Sequence, residues 1–189
     1  MSDKRVNLVN LFVGGRGTGK STKLRKVVEV FAKKGIKVLI IETFPSPAWK
    51  EFPVINAEQL KKIKNDSSGT FLVVDEPDKI FAVLNKKVYN ALVICEDATK
   101  YIGSKLTPDQ KALVVDSKQK NIDLVFVFHA WGGQVPPDLI RLSDTATLFK
   151  TNEIASKLNK IPNPDVIKAH ERVVAHESQY YNETVRIGG

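Results

Sequence analysis

An apolar run from Asn7 to Val13 leads into Gly14-Gly15-Arg16-Gly17-Thr18-Gly19-Lys20-Ser21, and Leu24, Val27, Val28 and Phe31 follow. The run reads as a buried strand, and the later spacing of i, i+3, i+4 and i+7 marks one face of a helix. The segment between them fits G-x-x-x-x-G-K-[ST] at every fixed position, the pattern of a phosphate-cradling P-loop. Its glycines let the backbone curl so that successive N–H groups face the phosphates, and the helix N-terminus adds partial positive charge. Gly14 to Thr22 are therefore the expected ATP-binding residues, with Lys20 reaching the β- and γ-phosphates and Ser21 offering its hydroxyl to Mg²⁺. A plain connecting turn would not need four glycines followed by Lys-Ser.

A chain of 189 residues with 42% apolar content can bury one substantial core. No stretch approaches a membrane span, and the charged start leads into a strand instead of a signal peptide, so a soluble, cytoplasmic protein is expected. Cys95 sits inside the apolar run Ala91 to Cys95 and reads as a small core residue. The net charge of +8 is uneven. Residues 1–50 hold eleven Lys or Arg against three acids, and the rest of the chain is balanced. Lys23, Arg25, Lys26, Lys33, Lys34 and Lys37 exceed the needs of one nucleotide and suit either a polyanion or a solvated helix face.

The element pattern is α/β. After the first strand and helix, Gly35 suits a helix C-terminus and Ile36 to Ile41 is a continuous apolar strand. A strand-helix-strand unit needs a crossover and a parallel sheet covered on both faces. Thr43 to Pro53 reads as a proline-rich loop, with Trp49 and Phe52 closing over the sheet edge or the nucleotide. Asn56 is a candidate cap for a helix through Lys64, and Thr70 to Val74 and Ala91 to Cys95 are strands. Ile80 to Leu84 reads as a helical turn. Thr107, Pro108 and Gln110 carry the signals of a capped helix running to about Asn121. Ile122 to Phe128 is a strand delivering His129, and Thr145 to Phe149 is another. A short helix after Thr151, a helix near Asp165 to His176 and a polar strand from Tyr180 to Ile187 complete the chain. The expected fold is a doubly wound, mainly parallel sheet flanked by helices, with residues 1–151 as an ATPase core and 152–189 as a helical and strand extension of the same domain.

A P-loop ATPase needs a carboxylate at the end of a neighbouring apolar strand to hold Mg²⁺ through water, and a second to orient the attacking water. Asp75-Glu76 has the commoner order, and Glu96-Asp97 has it reversed. Position favours Glu96 and Asp97, because they precede a capped helix and then a strand whose polar end, His129, can sense a γ-phosphate. Asp75 and Glu76 then read as an edge-strand turn. His170 and His176 miss the spacing of a helical metal pair.

The P-loop, Val93 to Ala98, Ser117 to Leu124, His129, and Pro136-Pro137-Asp138-Leu139-Ile140 before Thr145 to Phe149 resemble the FtsK/HerA superfamily. These are RecA/ASCE-like P-loop ATPases that move DNA, including viral genome-packaging motors. The resemblance covers residues 7 to about 151, and only the P-loop is highly specific. It implies ATP hydrolysis coupled to movement of double-stranded DNA, a homo-oligomeric ring, expected to be a hexamer, and a capsid or portal partner. The location would then be the host cytoplasm or the virion, away from any membrane. By position Glu96 would hold Mg²⁺ and Asp97 would activate water. The family's trans-acting arginine is matched by Lys118, which lacks the planar guanidinium fork; Arg141 and Arg16 are alternative cations. Lys100, Lys105 and Trp131 to Gln134 are candidate channel residues, suited to backbone contacts without base reading. The competing readings are a small P-loop kinase, which would need a lid with clustered arginines, and a nucleotide-binding phage assembly protein.

Overall fold

The computed structural model describes residues 7–153 and 163–188. The strands are β1 (Val9–Val13), β2 (Lys37–Glu42), β3 (Val54–Ile55), β4 (Thr70–Val74), β5 (Ala91–Cys95), β6 (Ile122–Phe128), β7 (Thr145–Phe149) and β8 (Asn182–Arg186). They form one sheet in the order β3-β4-β2-β5-β6-β1-β7-β8. All neighbours pair in parallel except β7 and β8, which are antiparallel. The α/β class expected from the sequence is the observed one.

Both sheet faces are covered, as parallel strands require. On one face Leu24 and Val28 of α1 (Lys20–Lys33) meet Phe12, Ile40, Ile94 and Val127, with Trp49 fully buried among them. On the other face α2 (Ala57–Lys62), α3 (Pro77–Lys87), α4 (Pro108–Asp116), α5 (Pro137–Leu142) and α6 (Pro164–Ala175) cover Leu39, Val93, Leu124 and Phe126. Cys95 is wholly buried in that layer. The alternation of these residues along each strand explains the two layers. Among the described residues no helix is long and apolar enough to cross a membrane.

The Thr107 start signal is realised as a reciprocal capping box: Gln110 N–H donates to Thr107 Oγ1 (3.3 Å) and Thr107 N–H to Gln110 Oε1 (3.0 Å). Asn56 caps α2 in the same way. Several expectations need correction. The helix after Thr107 ends at Asp116 and continues only as turns to Asn121, whose φ of 55° is left-handed. Pro77–Lys87 is a full helix, more than the turn expected at Ile80 to Leu84, because Pro77 at its first position and four buried apolar residues support it. Trp49 lies in the core beneath α1 instead of lidding a site, with the Arg25 guanidinium 5.1 Å from its ring. β4 is not an edge strand, because the two-residue β3 pairs outside it. The helix expected just after Thr151 lies outside the described residues.

At the N-terminal end of the central strands Asp144 joins three elements. Its Oδ2 accepts Val9 N–H (2.9 Å), its backbone N–H donates to Val9 O (2.9 Å), and its carbonyl accepts Ile187 N–H (3.0 Å). Asp144→Ala is expected to cost about 1–3 kcal/mol, because it leaves the Val9 N–H without its acceptor. Lys118→Ala, which removes only an exposed ion pair to Asp144, should cost less than about 1 kcal/mol. Urea denaturation of the two variants checks the ordering.

Candidate functional site

The parallel arrangement brings the C-terminal ends of β1, β6, β5 and β2 to one edge, where ligands bind in open α/β sheets. β6 is the strand that decides the geometry. It pairs with β1, Val13 opposite Phe128, and with β5, Cys95 opposite Phe126. Gly14 therefore follows β1 beside His129, and its N–H donates to Phe128 O (3.2 Å). Glu96 and Asp97 emerge one strand further on. Asp75 and Glu76 follow β4, separated from β5 by β2.

The loop from Gly14 to Gly19 turns tightly onto α1. Gly17 and Gly19 have φ of 73° and 93°, values that disfavour any side chain. Gly14 packs so closely on Phe149 that a Cβ there would lie 2.5 Å from the Phe149 Cβ. Thr18 Oγ1 donates to Gly15 O (2.8 Å), and the Lys20 ammonium donates to Gly14 O (2.5 Å) and Gly15 O (2.7 Å). Burial lowers Lys20 to about 8, although Glu96 and Asp97 favour its charged form.

Arg16, Gly17, Gly19, Lys20, Ser21, Thr22, Glu96, His129 and Tyr180 line one cleft of about 320 Å³. The Glu96 carboxylate is buried, and burial together with the nearby Glu42 pushes it up to about 7, against the pull of Lys20. Trp49 Nε1, buried without a well-formed hydrogen bond, lies close enough to Glu96 to favour the charged form slightly. Asp97 has the left-handed backbone φ 43°, ψ 51°, which turns the chain sharply after β5. Burial works against its charge. Hydrogen bonds from Lys100 and Thr99, followed by the charge of Lys100, outweigh burial and hold it below the usual carboxylate range. Asp97 Oδ1 accepts Thr99 Oγ1–H (2.8 Å) and lies 3.2 Å from His129 Nε2, and Lys100 Nζ lies 2.8 Å from Oδ2. Burial, followed by the charge of Lys20, lowers His129 from its ordinary value and so favours the neutral ring. A neutral ring donating from Nε2 to Asp97 leaves the buried Nδ1, which has no partner, as an acceptor.

The donor set fits ATP and a small hard cation. Ser21 and Glu96 supply one hydroxyl and one carboxylate on the same cleft. Among the described residues no three His, Cys, Asp or Glu side chains gather into a cage. One or two oxygen ligands beside a phosphate loop is how Mg²⁺ is usually held.

The other sequence candidates lie elsewhere. Lys118 pairs with Asp144 (3.0 Å) at the opposite end of the strands, and Arg141 pairs with Asp138 on the surface of α5. Neither joins the P-loop cleft. Lys100 is engaged by Asp97 and lies 4.3 Å from the centre of the Phe44 ring, Lys105 is exposed, and Trp131 is buried. Gly132 is exposed and Gln134 partly so; the backbone N–H groups of Trp131 and Gly132 both donate to Glu153 (2.7 Å each), and Gln134 Oε1 accepts Ala130 N–H (2.9 Å). Sequence reasoning missed Glu42, whose pKa burial raises, and the Gln179-Tyr180 turn, which reaches the P-loop from the far end of the chain. Glu42 had a signal, an acid at the end of an apolar strand, and the turn had none.

The raised Glu96 has a consequence for stability. Between its ordinary 4.5 and about 7, the folded protein holds a proton that the unfolded chain has lost, so stability falls as pH rises through that window. Glu96→Gln is therefore expected to stabilise the protein in EDTA at pH 8 by on the order of 2–3 kcal/mol, a gain that disappears toward pH 4.5. Thermal melts across that range check it; equal stability at pH 8 would contradict the burial argument.

No protein-family model matches this sequence, and no curated protein sequence matches it. Among solved structures, the genome packaging NTPase B204 from Sulfolobus turreted icosahedral virus 2, in complex with sulfate, superposes with a TM-score of 0.78 at 15% identity, covering 97% of this chain and 92% of that one. The same protein in complex with ATP-gammaS gives 0.77 at 16% identity, over 96% and 92% of the two chains. VirB4 of Thermoanaerobacter pseudethanolicus gives 0.59 at 9% identity, over 97% of this chain and 90% of that one. The chain has the α/β P-loop NTPase fold, shared along nearly its whole length with the viral packaging NTPase.

Proposed function

We propose that this chain is an ATP-hydrolysing motor subunit that packages or moves double-stranded DNA. The observation that carries the reading is the order β5-β6-β1, with Glu96 and His129 lining the Lys20 cleft and Asp97 3.2 Å from His129. The likeness to a genome packaging NTPase, solved with ATP-gammaS and AMPPCP, supports ATP as the substrate. The P-loop amides and Lys20 bind and orient the β- and γ-phosphates, and Ser21 with Glu96 holds Mg²⁺, the latter through water. Bound magnesium neutralises charge on those phosphates. Asp97, ionised and fixed by Thr99 and Lys100, orients the attacking water. His129 holds Asp97 from the sensor strand, its Nε2 3.2 Å from Asp97 Oδ1.

Within one subunit the cleft has Lys20 and Arg16 as its cations. Phosphoryl transfer to water gains from a further cation supplied in trans. Arg141 and Lys118, exposed and distant from their own cleft, are candidates for that role on a neighbouring copy. The working form is then a ring, with a hexamer as the expected size, acting in the host cytoplasm or on the virion with a capsid or portal partner. Residues 1–151 supply the motor core, and 152–189 complete the same domain. The basic surface of α1, with Lys26, Lys33 and exposed neighbours, suits DNA phosphates.

ATPase rate against protein concentration, with and without double-stranded DNA, tests this reading. The specific rate should rise with concentration and rise further with DNA, and added salt should weaken the DNA effect. A rate that is full in the monomer and indifferent to DNA would overturn the motor assignment.

A further inference from the structure

The turn before β8 reaches the P-loop from the other end of the chain. Gln179 Nε2 donates to Gly17 O (2.8 Å) across 162 residues. The Tyr180 ring lies against Gly19, where a Cβ would sit 3.3 Å from its Cδ1. The backbone of this turn is pinned on both sides. Tyr180 N–H donates to Ser178 Oγ (3.3 Å), Asn182 Nδ2 donates to Tyr180 O (3.1 Å), and His176 stacks on Tyr181 with ring centres 3.9 Å apart.

Yet Tyr180 is 65% exposed, a large aromatic residue left bare on a fixed support. It stands where two clefts meet. One is the P-loop cleft; the other, of about 520 Å³, is lined by Gly19, Thr22, Lys23, Lys26, Tyr180 and Asn182. Phosphates held at Gly15 to Lys20 leave the rest of a nucleotide to extend past Thr22 into this second space. A flat, bare ring at that junction fits a nucleobase.

We propose that Tyr180 is the stacking platform for the base of the nucleotide whose phosphates the P-loop holds, so that the β8 turn distinguishes a nucleotide from a bare polyphosphate. The proposal rests on the nucleotide-binding reading given above. The Asn182 amide is already engaged, its Oδ1 by Lys23 and its Nδ2 by the Tyr180 carbonyl. Recognition is therefore of a π-face, which every base has, in preference to a particular base edge.

Calorimetric titration of the full chain with ATP and, separately, with inorganic tripolyphosphate tests it. Tyr180→Ala should weaken ATP binding roughly tenfold or more, from the loss of base stacking, while tripolyphosphate binding stays within about twofold. Tyr180→Trp, which keeps a ring, should restore ATP binding. An equal loss for both ligands would assign Tyr180 to bracing the loop and overturn the proposal, as would ATP binding unchanged in Tyr180→Ala. A wild-type chain that binds neither ligand would overturn the P-loop reading as well, which separates the two failures.

Discussion

The parallel pairing of β6 between β1 and β5 is the constraint on which the site depends. All seven residues of β6 are buried, so the strand cannot slip by one position without turning its apolar side chains from one core layer to the other. Its register fixes Phe128 opposite Val13 and Phe126 opposite Cys95. That places His129 between the P-loop and the acidic pair. The core therefore determines the spacing of the chemistry.

Electrostatics at this edge work against the fold. Glu96 is raised by burial and by Glu42, and Lys20 is lowered by burial. Asp97 differs: its partners outweigh its burial and keep it ionised. Two adjacent carboxylates thus have divergent proton affinities, one ready to lose its proton when a cation arrives and one charged throughout. Such divergence is common where environment assigns different roles to neighbouring acids.

Much of this was legible in the sequence because it is local. The P-loop, the Thr107 capping box and the apolar strands each carry their signal within a few residues. The choice of Glu96-Asp97 over Asp75-Glu76 rests on element order, and three strands, β2, β5 and β6, separate β4, which the second pair follows, from β1, which the P-loop follows. What could not be read depends on long-range pairing. The antiparallel direction of β8, and with it the arrival of Gln179 and Tyr180 at the P-loop, follows from how β8 docks on β7. Lys100 likewise carries no sequence signature for its partner, here Asp97.

Substitution at the two acidic pairs distinguishes which of them serves the P-loop. With Mg²⁺ and DNA present, Asp97→Asn should lower the steady-state ATPase rate by about a hundredfold or more, the usual scale for a positioned carboxylate acting on water. Glu76→Gln should leave that rate within about twofold, as expected for a surface substitution. Turnover that survives Asp97→Asn and is lost in Glu76→Gln would contradict the account.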